Sequence, residues 1–141
     1  MKAPWHLWVI GIVSLLWNAV GAVDYYMTQT RNEAYLGQFT PEQLEYFFGY
    51  PSWAVAAWAA GVWLALAGSV LLLFRSAYAL WAFIFSFLGL VVASIYSFGL
   101  AEVAMTDVVG DEALVFTAVI AIVSLFLVWY ARRMKIVGVL H

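Results

Sequence analysis

The chain has few groups able to do chemistry, and the richest collection lies between Trp17 and Arg31. There an apolar run carries an amide at Asn18, a carboxylate at Asp24, phenols at Tyr25 and Tyr26, and a guanidinium at Arg31. An amide among apolar neighbours is costly when unpaired and usually finds a partner on another helix. For Asn18 two readings stay open: a hydrogen bond to Ser69, Ser86 or Ser124, or contact with a ligand. A carboxylate within a membrane segment is a functional candidate by default. Asp24, Thr28 and Arg31 fall on one helical face at i, i+4 and i+7, and an Asp24–Arg31 ion pair is the expected role of that carboxylate.

Trp17 and Trp63 sit near the middle of their apolar runs, away from the interfacial belts where Trp collects, and Trp58 lies between Trp63 and the run's outer end. Packing is the commoner role of such rings. Beside an amide and a carboxylate they also suit a small polyhydroxylated solute, which offers C–H faces for stacking and hydroxyls for hydrogen bonds. The candidate ligand set is therefore Trp17, Asn18, Asp24, Tyr25 and Trp63.

Catalysis finds little support. His6 and His141 are the only histidines, neither has a second plausible ligand nearby, and cysteine is absent, which excludes disulfides and thiolate chemistry. No nucleophile elbow, phosphate loop or metal motif occurs. The expectation is a non-enzymatic protein with no metal and no cofactor. Glu102, Asp107, Asp111 and Glu112 form an acidic stretch better explained by solvation than by cation binding. The basic cluster Arg132, Arg133 and Lys135 suits anionic headgroups rather than nucleic acid.

The elements that must position these groups are membrane helices. Two thirds of the 141 residues are apolar and a tenth are charged, and the apolar residues come in runs long enough to cross a bilayer. Spans are expected at about 5–27, 53–74, 78–100 and 113–131. The start of the first run has the outline of a secretory signal, but Trp17 and Asn18 stand where a signal would be Leu-rich, so a retained helix is expected. Good helix formers predict that this helix continues through Arg31–Leu36 to a stop at Gly37. A short amphipathic helix is predicted over 40–48, with Thr40 as N-cap, Pro41 first, Gln43 closing a capping box, and Phe39 and Leu44 as a hydrophobic staple. It reads as a surface helix capping the bundle.

Ala57, Gly61, Ala65 and Ser69 recur every four residues in the second span, a ladder that admits close approach of a neighbouring helix. Ser86, Gly89, Ala93 and Ser97 line one face of the third, and Thr117, Ala121 and Ser124 mark the fourth. An internal two-plus-two repeat has little support, since the third span has no counterpart to Asn18–Gly21.

Charge sets the orientation. With the N-terminus in the cytoplasm, Lys2, Arg75, Arg132, Arg133 and Lys135 lie inside, Arg31 alone lies outside, and all eight acids fall at or beyond the outer face. Trp5, Trp8, Tyr78, Trp81, Trp129 and Tyr130 would form the inner aromatic belt, and Tyr25, Tyr26, Tyr50, Trp53 and Tyr96 the outer one.

At WNAVGAVDYYMTQTRNEAYL and FTPEQLEYFFGYPSW the chain resembles a family of small bacterial four-helix inner-membrane proteins, whose members are often labelled sugar transporters. In size and topology it is also similar to DoxX-like membrane proteins. The resemblance implies a bacterial inner membrane and a sugar-like solute, and assigns no catalytic residue.

The fold expected is an all-α membrane protein, an up-down bundle of four transmembrane helices with a short periplasmic amphipathic helix. Two functions are carried forward: binding or transport of a small solute by a homo-oligomer, and a non-catalytic accessory role in a larger membrane complex. The ladder Ala57, Gly61, Ala65 and Ser69 would serve assembly in either case. The lipid bilayer is the one partner common to both, and nucleic acid is not expected.

Overall fold

The computed structural model describes residues 3–30, 33–37, 39–97 and 112–141. These form six helices and no strand: α1 (Trp5–Gln29), α2 (Glu33–Leu36), α3 (Pro41–Phe48), α4 (Ser52–Leu73), α5 (Tyr78–Ile95) and α6 (Glu112–Ile136). The chain is all-α, and α1, α4, α5 and α6 are long and apolar enough to cross a membrane.

Local sequence explains the ends. α1 and α4 are each entered through a proline with extended backbone, Pro4 and Pro51, which supplies no N–H that the helix would leave unpaired. At α3 the Gln43 N–H donates to Thr40 Oγ1 (3.2 Å), and the Thr40 N–H donates to Gln43 Oε1 (3.1 Å), a reciprocal capping box.

Two expected boundaries are corrected. α1 does not continue to Leu36 but stops at Gln29, where the backbone N–H and the hydroxyl of Thr30 both donate to Tyr26 O (2.9 and 2.7 Å). The helix formers that follow are used in a separate short helix, α2 (Glu33–Leu36), and residues 31 and 32 lie outside the described residues. α6 does not end at Ala131 but runs to Ile136. It closes in a Schellman turn, with Gly138 at φ 88°, Val139 N–H to Met134 O and Gly138 N–H to Lys135 O. The end of α4 has the same pattern with Arg75 at φ 59° in the left-handed position, Ser76 N–H to Leu71 O and Arg75 N–H to Leu72 O.

The four long helices pack in sequence order, α1 on α4, α4 on α5, α5 on α6. Contacts pair ascending with descending numbers (Ser14 with Ser69 and Tyr25 with Trp58, Gly61 with Ser86 and Gly68 with Phe83), so α1 and α4, and α4 and α5, run antiparallel. The densest core lies at the end carrying the basic residues. Leu7, Leu72, Leu80, Phe83, Leu127, Tyr130 and Met134 meet there and enclose Val139 and Leu140 of the tail. That tail is held by Arg75: its Nε donates to Val139 O (3.1 Å), and His141 N–H donates to Arg75 O (3.1 Å). Tyr130, expected in the belt, is buried instead and hydrogen-bonds His6 Nδ1 (2.5 Å), joining α1 to α6.

Candidate functional site: a polar seam and an aromatic end

α1 faces α4 through Leu7, Gly11, Ser14, Asn18, Ala22 and Tyr25, a spacing of three and four residues that keeps one side of the helix on its neighbour. At mid-span this face is polar. Asn18 Nδ2 donates to Ala65 O (3.0 Å) and to Ser69 Oγ (2.9 Å). Ser14 donates to Gly11 O (3.1 Å), so the Ser14–Ser69 contact (2.9 Å) has Ser69 as donor. The protons thus run in one direction, Asn18 to Ser69 to Ser14 to a backbone carbonyl. The amide orientation is fixed because Ala65 O can only accept. Of the three partners considered for Asn18, Ser69 is the one found; Ser86 donates to Gly61 O instead (2.5 Å). Both Asn18 donors are engaged within the chain, which makes this residue a cross-link between helices.

The ladder on α4 is likewise used inside the chain. A Cβ built on Gly89 would lie 2.7 Å from Ala57 O and 2.9 Å from Gly61 N, so α4 and α5 touch backbone to backbone. Ala65 and Ser69, one and two turns further, face Asn18. Ala57, Gly61, Ala65 and Ser69 therefore admit the close approach of neighbouring helices, α5 at Ala57 and Gly61 and α1 at Ala65 and Ser69.

Tyr25 lies seven residues beyond Asn18, about 10 Å along the helix, and begins a different environment. Its ring packs edge-to-face on Trp58 (4.9 Å between centroids) and approaches Trp63 (6.2 Å). Trp58 neighbours Tyr50 (6.2 Å), Tyr50 packs on Tyr96 (4.8 Å), and Tyr96 packs on Trp53 (5.5 Å). The Tyr50 hydroxyl and Ser97 Oγ are hydrogen-bonded. Six rings from α1, α4, the turn just before α4 (Tyr50) and the end of α5 thus form one continuous chain. Among the described residues no side-chain hydrogen bond engages the Tyr25 hydroxyl or the indole N–H groups of Trp58 and Trp63.

The structure brings Tyr25 and Trp63 together and leaves Asn18 apart from them. Trp17 is 38 % exposed and makes no ring contact among the described residues. Asp24 is half-buried and precedes Tyr25 on α1. Arg31, its expected ion-pair partner, lies outside the described residues, as do Lys2, Glu102, Asp107 and Asp111. Sequence reasoning missed Ser14, although a serine one turn before Asn18 on the same face was a usable signal. It treated Tyr50 and Tyr96 only as belt residues, because rings brought together from three segments have no local signature.

Two clefts open between α5 and α6, neither touching the aromatic group. One of about 610 Å³ is lined by Leu90, Ser94, Leu114, Thr117 and Ala118 among others and is almost wholly apolar. The other, about 600 Å³, lies at the basic end. No group of three or more His, Asp or Glu is placed to hold a metal ion among the described residues. Comparison with protein-family profiles, with curated proteins and with solved structures gives no match.

Proposed function

We propose that this multi-pass membrane protein sits in a bacterial inner membrane with both termini in the cytoplasm, and binds a small polar, sugar-like solute at its acidic end. The observation that carries the reading is the continuous ring chain Trp63–Tyr25–Trp58–Tyr50–Tyr96–Trp53 beside Asp24, with the Tyr25 hydroxyl and two indole N–H groups open to a ligand. Ring faces stack on sugar C–H surfaces, and the Tyr25 hydroxyl and the two indole N–H groups match sugar hydroxyls. The resemblance to small four-helix proteins labelled sugar transporters agrees with this. The segregation of basic residues to one end supports the orientation. No catalytic step is assigned.

The reading is of binding first. α1, α4 and α5 pack directly through Asn18, Gly61 and Gly89, so transport requires a homo-oligomer or a parting of helices. Calorimetric titration of the purified protein with mono- and disaccharides tests the proposal. Saturable heat is expected in the wild type and in Asn18→Ala, and its loss in Trp58→Leu. Absence of saturable binding for every saccharide in the wild type, or full binding by Trp58→Leu, overturns it.

The accessory reading is favoured by one observation, the apolar cleft between α5 and α6, which has room for a partner's side chains. Since Gly61 faces α5, the substitution that probes a partner is Ala118→Trp in that cleft. Co-purification of a stoichiometric second protein that this change releases would favour the accessory role over solute binding.

A further inference from the structure

The cleft at the basic end is built from two ridges. α5 contributes Leu80 and Ile84, one turn apart; α6 contributes Val128, Arg132 and Lys135 at i, i+4 and i+7, with Ile136 beside them. It opens because the adjoining ridge of α6, Leu127, Tyr130, Ala131 and Met134, is the one buried in the core, so the Val128 ridge stands off from α5. The result is an aliphatic trough with a guanidinium and an ammonium at its mouth. Neither cation pairs with a carboxylate among the described residues, whose acids Asp24, Glu33, Glu42, Glu45 and Glu112 belong to the segments at the other end. Exposed Tyr78, Trp81 and Trp129 surround the same level, the position aromatic side chains take at headgroup depth.

We propose that this cleft binds an anionic phospholipid. Arg132 and Lys135 take the phosphodiester, the Arg through its paired N–H donors and the Lys as a point charge. Leu80, Ile84 and Val128 receive the start of an acyl chain. Basic pockets between membrane helices bind anionic headgroups in this way. A free phosphate would use the two cations and leave the aliphatic walls idle, and the walls assign the lipid. Arg133 is the internal control. It carries the same charge one residue away, is exposed, and does not line the cleft.

The test is native mass spectrometry of the purified protein in an equimolar mixture of phosphatidylglycerol and phosphatidylcholine. The wild type is expected to retain one phosphatidylglycerol in preference. Arg132→Gln with Lys135→Gln should reduce that preference by about thirtyfold, and Arg133→Gln should leave it intact. Ile84→Trp, which fills the trough with every charge in place, should remove the adduct. An equal loss in Arg133→Gln would show a diffuse surface field and overturn the site. So would retention of the adduct by a folded Ile84→Trp, displacement of the lipid by millimolar inorganic phosphate, or no preference in the wild type. If Ile84→Trp does not fold, the contrast between Arg132→Gln and Arg133→Gln decides alone.

Discussion

Three glycine-to-alanine changes should separate sharply, because the structure gives each new methyl a different neighbourhood. At Gly89 the Cβ would lie 2.7 Å from Ala57 O and 2.9 Å from Gly61 N, both backbone atoms of α4. A helix backbone cannot turn aside as a side chain can, so α4 and α5 must part by about 0.7 Å to reach ordinary contact. A gap of that size forfeits about a quarter to a half of the dispersion well for each facing pair along the seam. Gly89→Ala is expected to cost about 2–3 kcal/mol, the upper part of the range for overpacking. At Gly61 the nearest atoms lie at 3.3 and 3.4 Å, a few tenths too close, and the cost should fall to about 1 kcal/mol or less. At Gly21 nothing lies within 4 Å, so alanine should be neutral or stabilising by up to about 1 kcal/mol through helix propensity. Reversible unfolding in mixed micelles, followed by circular dichroism against denaturing detergent, measures the series. Equal costs at Gly21 and Gly89, or Gly61 worse than Gly89, would refute the backbone contact on which the fold description rests.

The polar seam makes a second prediction. Asn18→Ala and Ser69→Ala should each destabilise by about 1 kcal/mol, and their double-mutant cycle should show coupling of about 0.6 kcal/mol, the usual size of an interhelical hydrogen bond in a membrane; additive costs would dismiss the bond. At the α4–α5 turn, Arg75→Gly removes the left-handed strain at φ 59° while losing the bond to Val139 O. It should therefore be more stable than Arg75→Ala by about 1 kcal/mol in the same unfolding assay. Leu140 is buried at the basic end, and Leu140→Ala should cost about 2 kcal/mol; no change in the midpoint would mean that the tail does not pack.

The membrane helices were legible because an apolar run of about 20 residues has few other fates. The capping box at Thr40 and Gln43 was legible for a similar reason, being a contact between neighbours in the chain. What escaped was anything set by long-range pairing or by competition between equals. The end of α1 at Gln29 has no glycine or proline near it to mark it. The extension of α6 to Ile136 was signalled by Gly138 after a basic last turn, a C-terminal pattern that an apolar-run criterion passes over. Asn18 was recognised as needing a partner, but three serines were equally eligible by depth, and only the packing of α1 on α4 selects Ser69. Of the candidate ligand residues, Tyr25 and Trp63 come together in the ring chain, while Asn18 is spent on α4 and Trp17 is exposed with no ring contact among the described residues. The folded-back Val139–His141 tail has no sequence signature at all, since it is made by Arg75, sixty-odd residues away.

Both the aromatic site and the lipid cleft depend on the two ends of the bundle facing opposite sides of the membrane. The absence of cysteine makes that claim directly measurable with single introduced cysteines. Glu42→Cys on α3 and Arg133→Cys on α6, both exposed positions, would be treated with a membrane-impermeant maleimide in intact cells and again after permeabilisation. The account predicts that the residue 42 probe reacts in intact cells and the residue 133 probe only once the membrane is opened. Labelling of both from outside, or the reverse order, would contradict it.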